Sequence, residues 1–162
     1  MIGGAGTQVE IGSATVGGVT FEGNLGAGAS TMTMVDNADS RGTGAGGHAT
    51  FITGNGTNII GAAASPVTGV PVGHNTFVEG ASNPSGGNNT AEIFNFSTDP
   101  NSGDIVSLAN PAGGFYSTVP GAIASATQIA VNVSGTNTTL TFGDGTTWNI
   151  VGVTNLTGSN FH

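Results

Sequence analysis

At 162 residues, with 30 glycines and 6 prolines, the chain is long enough to bury the core of one domain and stops short of structureless low complexity. One basic residue stands against nine carboxylates for a net charge of -8. That balance excludes nucleic acid as a partner, because phosphate contacts need cations, and argues against anionic membrane surfaces; the lack of cysteine removes disulfides and thiol chemistry, and no apolar run is long enough for a membrane span.

Helix is the disfavoured half of the repertoire. Lys is absent, Leu occurs only at positions 25, 108, 140 and 156, and Thr, Val, Ile, Gly and Asn dominate. The chain therefore reads as all-β. Its first residues, Met1 to Gly6, carry neither a basic nor an apolar stretch, so export is expected to proceed without a cleavable N-terminal signal. Glycine-rich turns then separate strand-like pieces at residues 8–11, 15–21 and 31–35. In the last of these, Thr31-Met32-Thr33-Met34-Val35 alternates polar and apolar side chains as a half-buried strand does. A polar loop over residues 36–47 holds Asp36, Asp39 and Arg41. The plain reading is a solvated turn; the sharper one is a calcium site using the carboxylates of Asp36 and Asp39. Residues 1–49 together form a Gly-rich β segment suited to donating a strand to a neighbouring copy.

From residue 50 a loose repeat begins. Phe51-Ile52-Thr53-Gly54-Asn55-Gly56-Thr57-Asn58-Ile59-Ile60-Gly61 places glycines and Asn in a turn and apolar β-formers in a short strand. Gly73-His74-Asn75-Thr76-Phe77-Val78-Glu79-Gly80 follows the same plan, and the stretch from Gly86 to Ile93 echoes it. On this reading Asn58 and Asn75, 17 residues apart, are equivalent positions. Stacked units of this kind predict a β-solenoid or β-roll of short strands over residues 50–162.

Further along, Asp99 and Asp104 flank the turn Pro100-Asn101-Ser102-Gly103. Asp99, Asn101 and Asp104 are a second candidate calcium set, against the blander Asx-turn at Pro100. Near the C-terminus, Thr138 to Ile150 reads as a hairpin. A two-residue Asp144-Gly145 loop would mix apolar and polar side chains on each face. A three-residue loop, Gly143-Asp144-Gly145, pairs Phe142 with Thr146, Leu140 with Trp148 and Thr138 with Ile150, and collects Leu140, Phe142, Trp148 and Ile150 on one face. Residues 127–133 are expected to add a third antiparallel strand through the turn Ser134-Gly135-Thr136-Asn137, giving a capping meander. Its polar face carries Thr139, Thr141 and Thr147, a short threonine array of the sort that suits an ice lattice.

Several of these pieces carry a family resemblance. Gly54-Asn55-Gly56-Thr57-Asn58-Ile59-Ile60, and less closely Gly3-Gly4-Ala5-Gly6-Thr7-Gln8-Val9-Glu10, resemble the calcium nonapeptide of the RTX (repeats-in-toxin) family. The stretch from Phe94-Asn95-Phe96 through Gly103-Asp104-Ile105-Val106-Ser107-Leu108 is similar to the segment that follows such repeats. Thr138 to Val153, then Leu156-Thr157-Gly158-Ser159-Asn160-Phe161, resembles the C-terminus of RTX proteins. The resemblance implies a β-roll, calcium in the turns and type I secretion through an uncleaved C-terminal signal. In the family an Asp of each turn ligates calcium, whereas Gln8, Asn58 and Asn75 stand in those places here. Asn offers a carbonyl oxygen without charge, so hydrogen bonds from Asn and Thr are expected to hold the coils.

His48, His74 and His162 have no metal-ligand spacing, and no nucleophile motif is present, so neither catalytic nor cofactor-binding residues are assigned. The leading expectation is an extracellular structural protein that forms homo-oligomers or polymers such as a filament, surface layer or biofilm matrix. The runner-up is a monomeric calcium-binding adhesin or glycan-binding module with a polysaccharide partner.

Overall fold

The structure, a computed structural model, describes residues 7–12, 19–23, 30–36, 49–62, 75–79, 89–100, 103–108, 129–142 and 145–162. Its strands are β1 (Thr7–Gly12), β2 (Val19–Glu22), β3 (Ser30–Asp36), β4 (Ala49–Thr53), β5 (Gly56–Gly61), β6 (Thr76–Glu79), β7 (Thr90–Phe94), β8 (Ile105–Ser107), β9 (Ile129–Ser134), β10 (Asn137–Phe142) and β11 (Thr147–Ile150). A 3-10 turn covers Gly158–Asn160. The chain is all-β, as its composition requires.

A four-stranded sheet runs β2-β4-β6-β8, and a seven-stranded one runs β1-β3-β5-β7-β11-β10-β9. From β1 to β8 each successive strand belongs to the other sheet and pairs in parallel with the strand two places along. The strands expected at 8–11 and 31–35 are β1 and β3, and β2 falls at the end of the expected 15–21 piece. β2 and β3 pair with β4 and β5, so the first strands belong to the same two sheets as the later ones.

The period-2 alternation explains the burial. In β3, Met32 and Met34 are fully buried while Thr31, Thr33 and Val35 are half-exposed. The same inward face continues with Ile60, Ile93 and Ile150 from neighbouring strands. One hydrophobic cluster draws on both sheets, so they pack face to face around a shared core. In the four-stranded sheet the core row is aromatic. Phe21 stacks on Phe51 at 5.0 Å, Phe51 on Phe77 at 5.2 Å, and Phe77 meets Phe96 at 5.3 Å. Register partners Phe21, Phe51, Phe77 and Val106 stand 30, 26 and 29 residues apart in the chain.

That spacing corrects the repeat. Asn58 lies inside β5, opposite Met32 and Ala91, whereas Asn75 precedes β6. The two are not equivalent, because β5 belongs to the seven-stranded sheet and β6 to the four-stranded one.

The C-terminal hairpin has the register that face-sorting demands. Leu140 pairs with Trp148 and Thr138 with Ile150, and the Phe142 N–H donates to the Thr146 carbonyl at 2.8 Å. Gly145 takes φ 92, a left-handed conformation that glycine adopts without strain. Leu140, Phe142, Trp148 and Ile150 are buried together. β9 adds the third antiparallel strand through a turn at Gly135, φ 61. β11 then runs parallel to β7, inserted between it and the β9–β10 pair. On the other sheet Phe161 forms a parallel bridge with Val106, and the His162 N–H donates to the Val106 carbonyl at 3.1 Å. The last residues therefore lay one more rung on each sheet.

Candidate functional site

Of the two sequence-derived calcium sets, Asp39 and Asn101 lie outside the described residues, as do Arg41, His48 and His74. Asp36 closes β3 and is buried at 3% exposure. Asp99 is exposed, its N–H donating to the Ser97 hydroxyl at 3.5 Å. Asp104 is fully buried and is turned toward amides. The N–H and the Nδ2 of Asn75 each donate to its Oδ1 at 2.9 Å, and the Ser97 N–H donates to its Oδ2 at 2.9 Å. Asn160 reaches from the tail to donate to the Asp104 carbonyl at 3.0 Å.

These contacts form a ladder along one end of the four-stranded sheet. Asn75 Oδ1 accepts from the Ala49 N–H at 3.2 Å and passes its own donors on to Asp104. Asp104 is the terminal acceptor, and only a carboxylate meets three N–H donors without presenting one of its own. Burial pushes its carboxyl up to about 7, against the lowering effect of the Ser97 and Asn75 donors. Gly103 is required beside it, since a Cβ there would stand 2.4 Å from the Asp99 carbonyl.

The seven-stranded sheet has its own asparagines. Asn89 Oδ1 accepts from the Gly56 N–H at 2.9 Å, and the Asn89 carbonyl accepts from the Thr147 N–H at 3.0 Å. Asn58 Nδ2 donates to the carbonyls of Gly54 and Thr90 at 2.9 and 3.2 Å. Buried asparagines thus tie neighbouring strands together, a pairing that buried amides need.

The outward threonines extend beyond the hairpin. Register places Thr31, Thr57, Thr90, Thr147 and Thr141 in one rank across β3, β5, β7, β11 and β10. The Thr90 hydroxyl lies 3.5 Å from that of Thr57.

Sequence reasoning missed Asn75 as the partner of Asp104, 29 residues away, and missed Glu10. The signal at Glu10 was phase: in Val9-Glu10-Ile11 a single inward face cannot take both the apolar pair and their neighbour. Val9 and Ile11 are exposed at 61% and 68%, and Glu10 is buried at 3%.

Among the described residues no group of three or more His, Cys, Asp or Glu side chains is placed to hold a metal ion. No helix is long and apolar enough to cross a membrane among them. In comparisons with family models, curated proteins and solved structures, nothing matches this chain.

Proposed function

We propose that the chain is a secreted bacterial structural protein, coiled as a β-solenoid of the β-roll kind, whose copies join into an extracellular filament, surface layer or biofilm matrix. The observation that carries this reading is β1. Among the described strands it lies at the edge of its sheet, paired with β3, and it turns Val9 and Ile11 outward at 61% and 68% exposure. An edge with free backbone groups and an apolar outer face is a template for strand addition. Alternation of successive strands between two parallel sheets supports the solenoid, because each coil lays one rung on each sheet. A contact between unlike ends of two copies is heterologous and propagates as an open filament.

The low density of charge supports assembly, since only about one residue in sixteen is ionisable as Asp, Glu, Lys or Arg (6%). The C-terminal likeness to type I secretion substrates supports an extracellular location. Catalysis has no place in the reading. Negative-stain electron microscopy of the purified chain, with calcium and with a chelator, tests it. Regular fibres or sheets are the expected result. Dispersed small particles under both conditions would overturn it in favour of a monomeric calcium-binding adhesin or glycan-binding module.

A further inference from the structure

Glu10 occupies a place that its neighbours reserve for apolar side chains. In register it stands opposite Met34, and the inward row continues through Ile60, Ile93 and Ile150. Its side chain is buried at 3% exposure, and neither Oε1 nor Oε2 has a hydrogen-bond partner. A buried carboxylate without donors is costly, and such groups are normally paired or coordinate a metal. The register also puts a second carboxylate beside it. Gly12 pairs with Asp36, so Asp36 is the diagonal neighbour of Glu10 on the same inward face, and it too is buried at 3%. In a parallel pair such as β1 and β3, a strand spacing of about 4.8 Å and a rise of about 3.3 Å per residue put diagonal neighbours about 8 Å apart at Cα, within reach of a long side chain.

We propose that Glu10 and Asp36 together bind a hard divalent cation of the calcium type at the β1 end of the two sheets. Two carboxylates from adjacent strands supply the charge, and water and backbone carbonyls complete an oxygen shell of six to eight. The site lies on the inward face of paired strands, not in a glycine-rich turn. It uses Asp36 with a partner from another strand rather than with Asp39 of the following loop. Two charged ligands make a weak site, with a dissociation constant on the order of 10⁻⁴–10⁻³ M, the range of extracellular calcium modules. The inference does not depend on self-association.

Calcium chloride titrated into the dilute, metal-stripped full chain tests it by calorimetry and by thermal melting. At tenfold excess over the dissociation constant the melting temperature is expected to rise by roughly 3–6 °C. Glu10→Gln abolishes both the binding heat and the rise, and Asp36→Asn weakens them at least tenfold. Because Glu10→Gln removes an unpartnered buried charge, it folds at least as stably as the parent in chelator, so lost binding is not lost folding. Glu92→Gln, on the exposed face of β7, together with Asp39→Asn and Asp99→Asn, leaves the response intact. A Glu10→Gln chain that binds calcium like the parent overturns the proposal, as does a response lost in Asp39→Asn or Asp99→Asn alone, or a parent chain with no calcium response.

Discussion

Asp104 sets two physical demands against each other. Three N–H groups converge on its carboxylate, which suits the anion, while complete burial penalises the anion. Burial prevails, and the carboxyl is pushed up from 3.8 to about 7. The folded chain therefore holds a proton that the unfolded chain has released between those two values. The contribution of that proton is fully present below the unfolded value and is lost as the pH rises through about 7. From pH 5 to pH 8 this group alone lowers stability by on the order of 2–3 kcal/mol. Asp104→Asn abolishes that component, so urea denaturation of parent and variant across this range is expected to give a shallower pH dependence for the variant. Equal slopes would show that Asp104 does not titrate there. The sequence singled out Asp104 but joined it to Asp99 nearby. Its partners Asn75 and Asn160 come from distant parts of the chain, and no local spacing announces a contact across 29 and 56 residues.

The elements differ in how far local rules determine them. The hairpin was legible to the residue, because a slip of one place would have driven Thr141 and Thr147 into the core and Phe142 out of it. β3 was legible for the same reason. The alternation of β4 to β8 between two sheets was not, since short apolar pieces such as Phe77-Val78 carry no mark of which sheet they join. The repeat was misjudged because the Gly-Asn turn recurs at strands of both sheets, so successive copies of the motif belong to different sheets. What the register adds is the aromatic row. Phe51 sits between Phe21 and Phe77, stacked on both at 5.0 and 5.2 Å and fully buried. Phe51→Ala removes two ring contacts and opens a cavity in the middle of the row, at a cost of about 3–5 kcal/mol. Phe51→Leu, which keeps most of the volume, is expected to lose clearly less, as read from chemical denaturation midpoints at unchanged slope. Equal losses would mean that the row contributes through ring stacking at that site and not through volume.

At the scale of the molecule the two edges of the paired sheets are unlike. The C-terminal end carries the β9–β10 pair beyond β11 on one sheet and the Phe161 rung on the other. Among the described strands, β1 and β2 form the other edges, each paired on one side. On β1 the outward face invites addition through Val9 and Ile11, while the inward Glu10 works against it, because an inward charge on an edge strand opposes sheet extension. Two substitutions separate these effects. Ile11→Lys puts a charge on an exposed side chain, so the stability of the single chain should stay within about 0.5 kcal/mol of the parent. Its assembled fraction in sedimentation is nevertheless expected to fall at least tenfold, with or without calcium. Glu10→Gln removes the opposing charge and should assemble in chelator as readily as the parent does in calcium. Assembly of Ile11→Lys at the parent level would place the contact elsewhere than β1. A Glu10→Gln chain that still needs calcium would separate the inward carboxylate from control of that edge, leaving Val9 and Ile11 as the whole of its contribution.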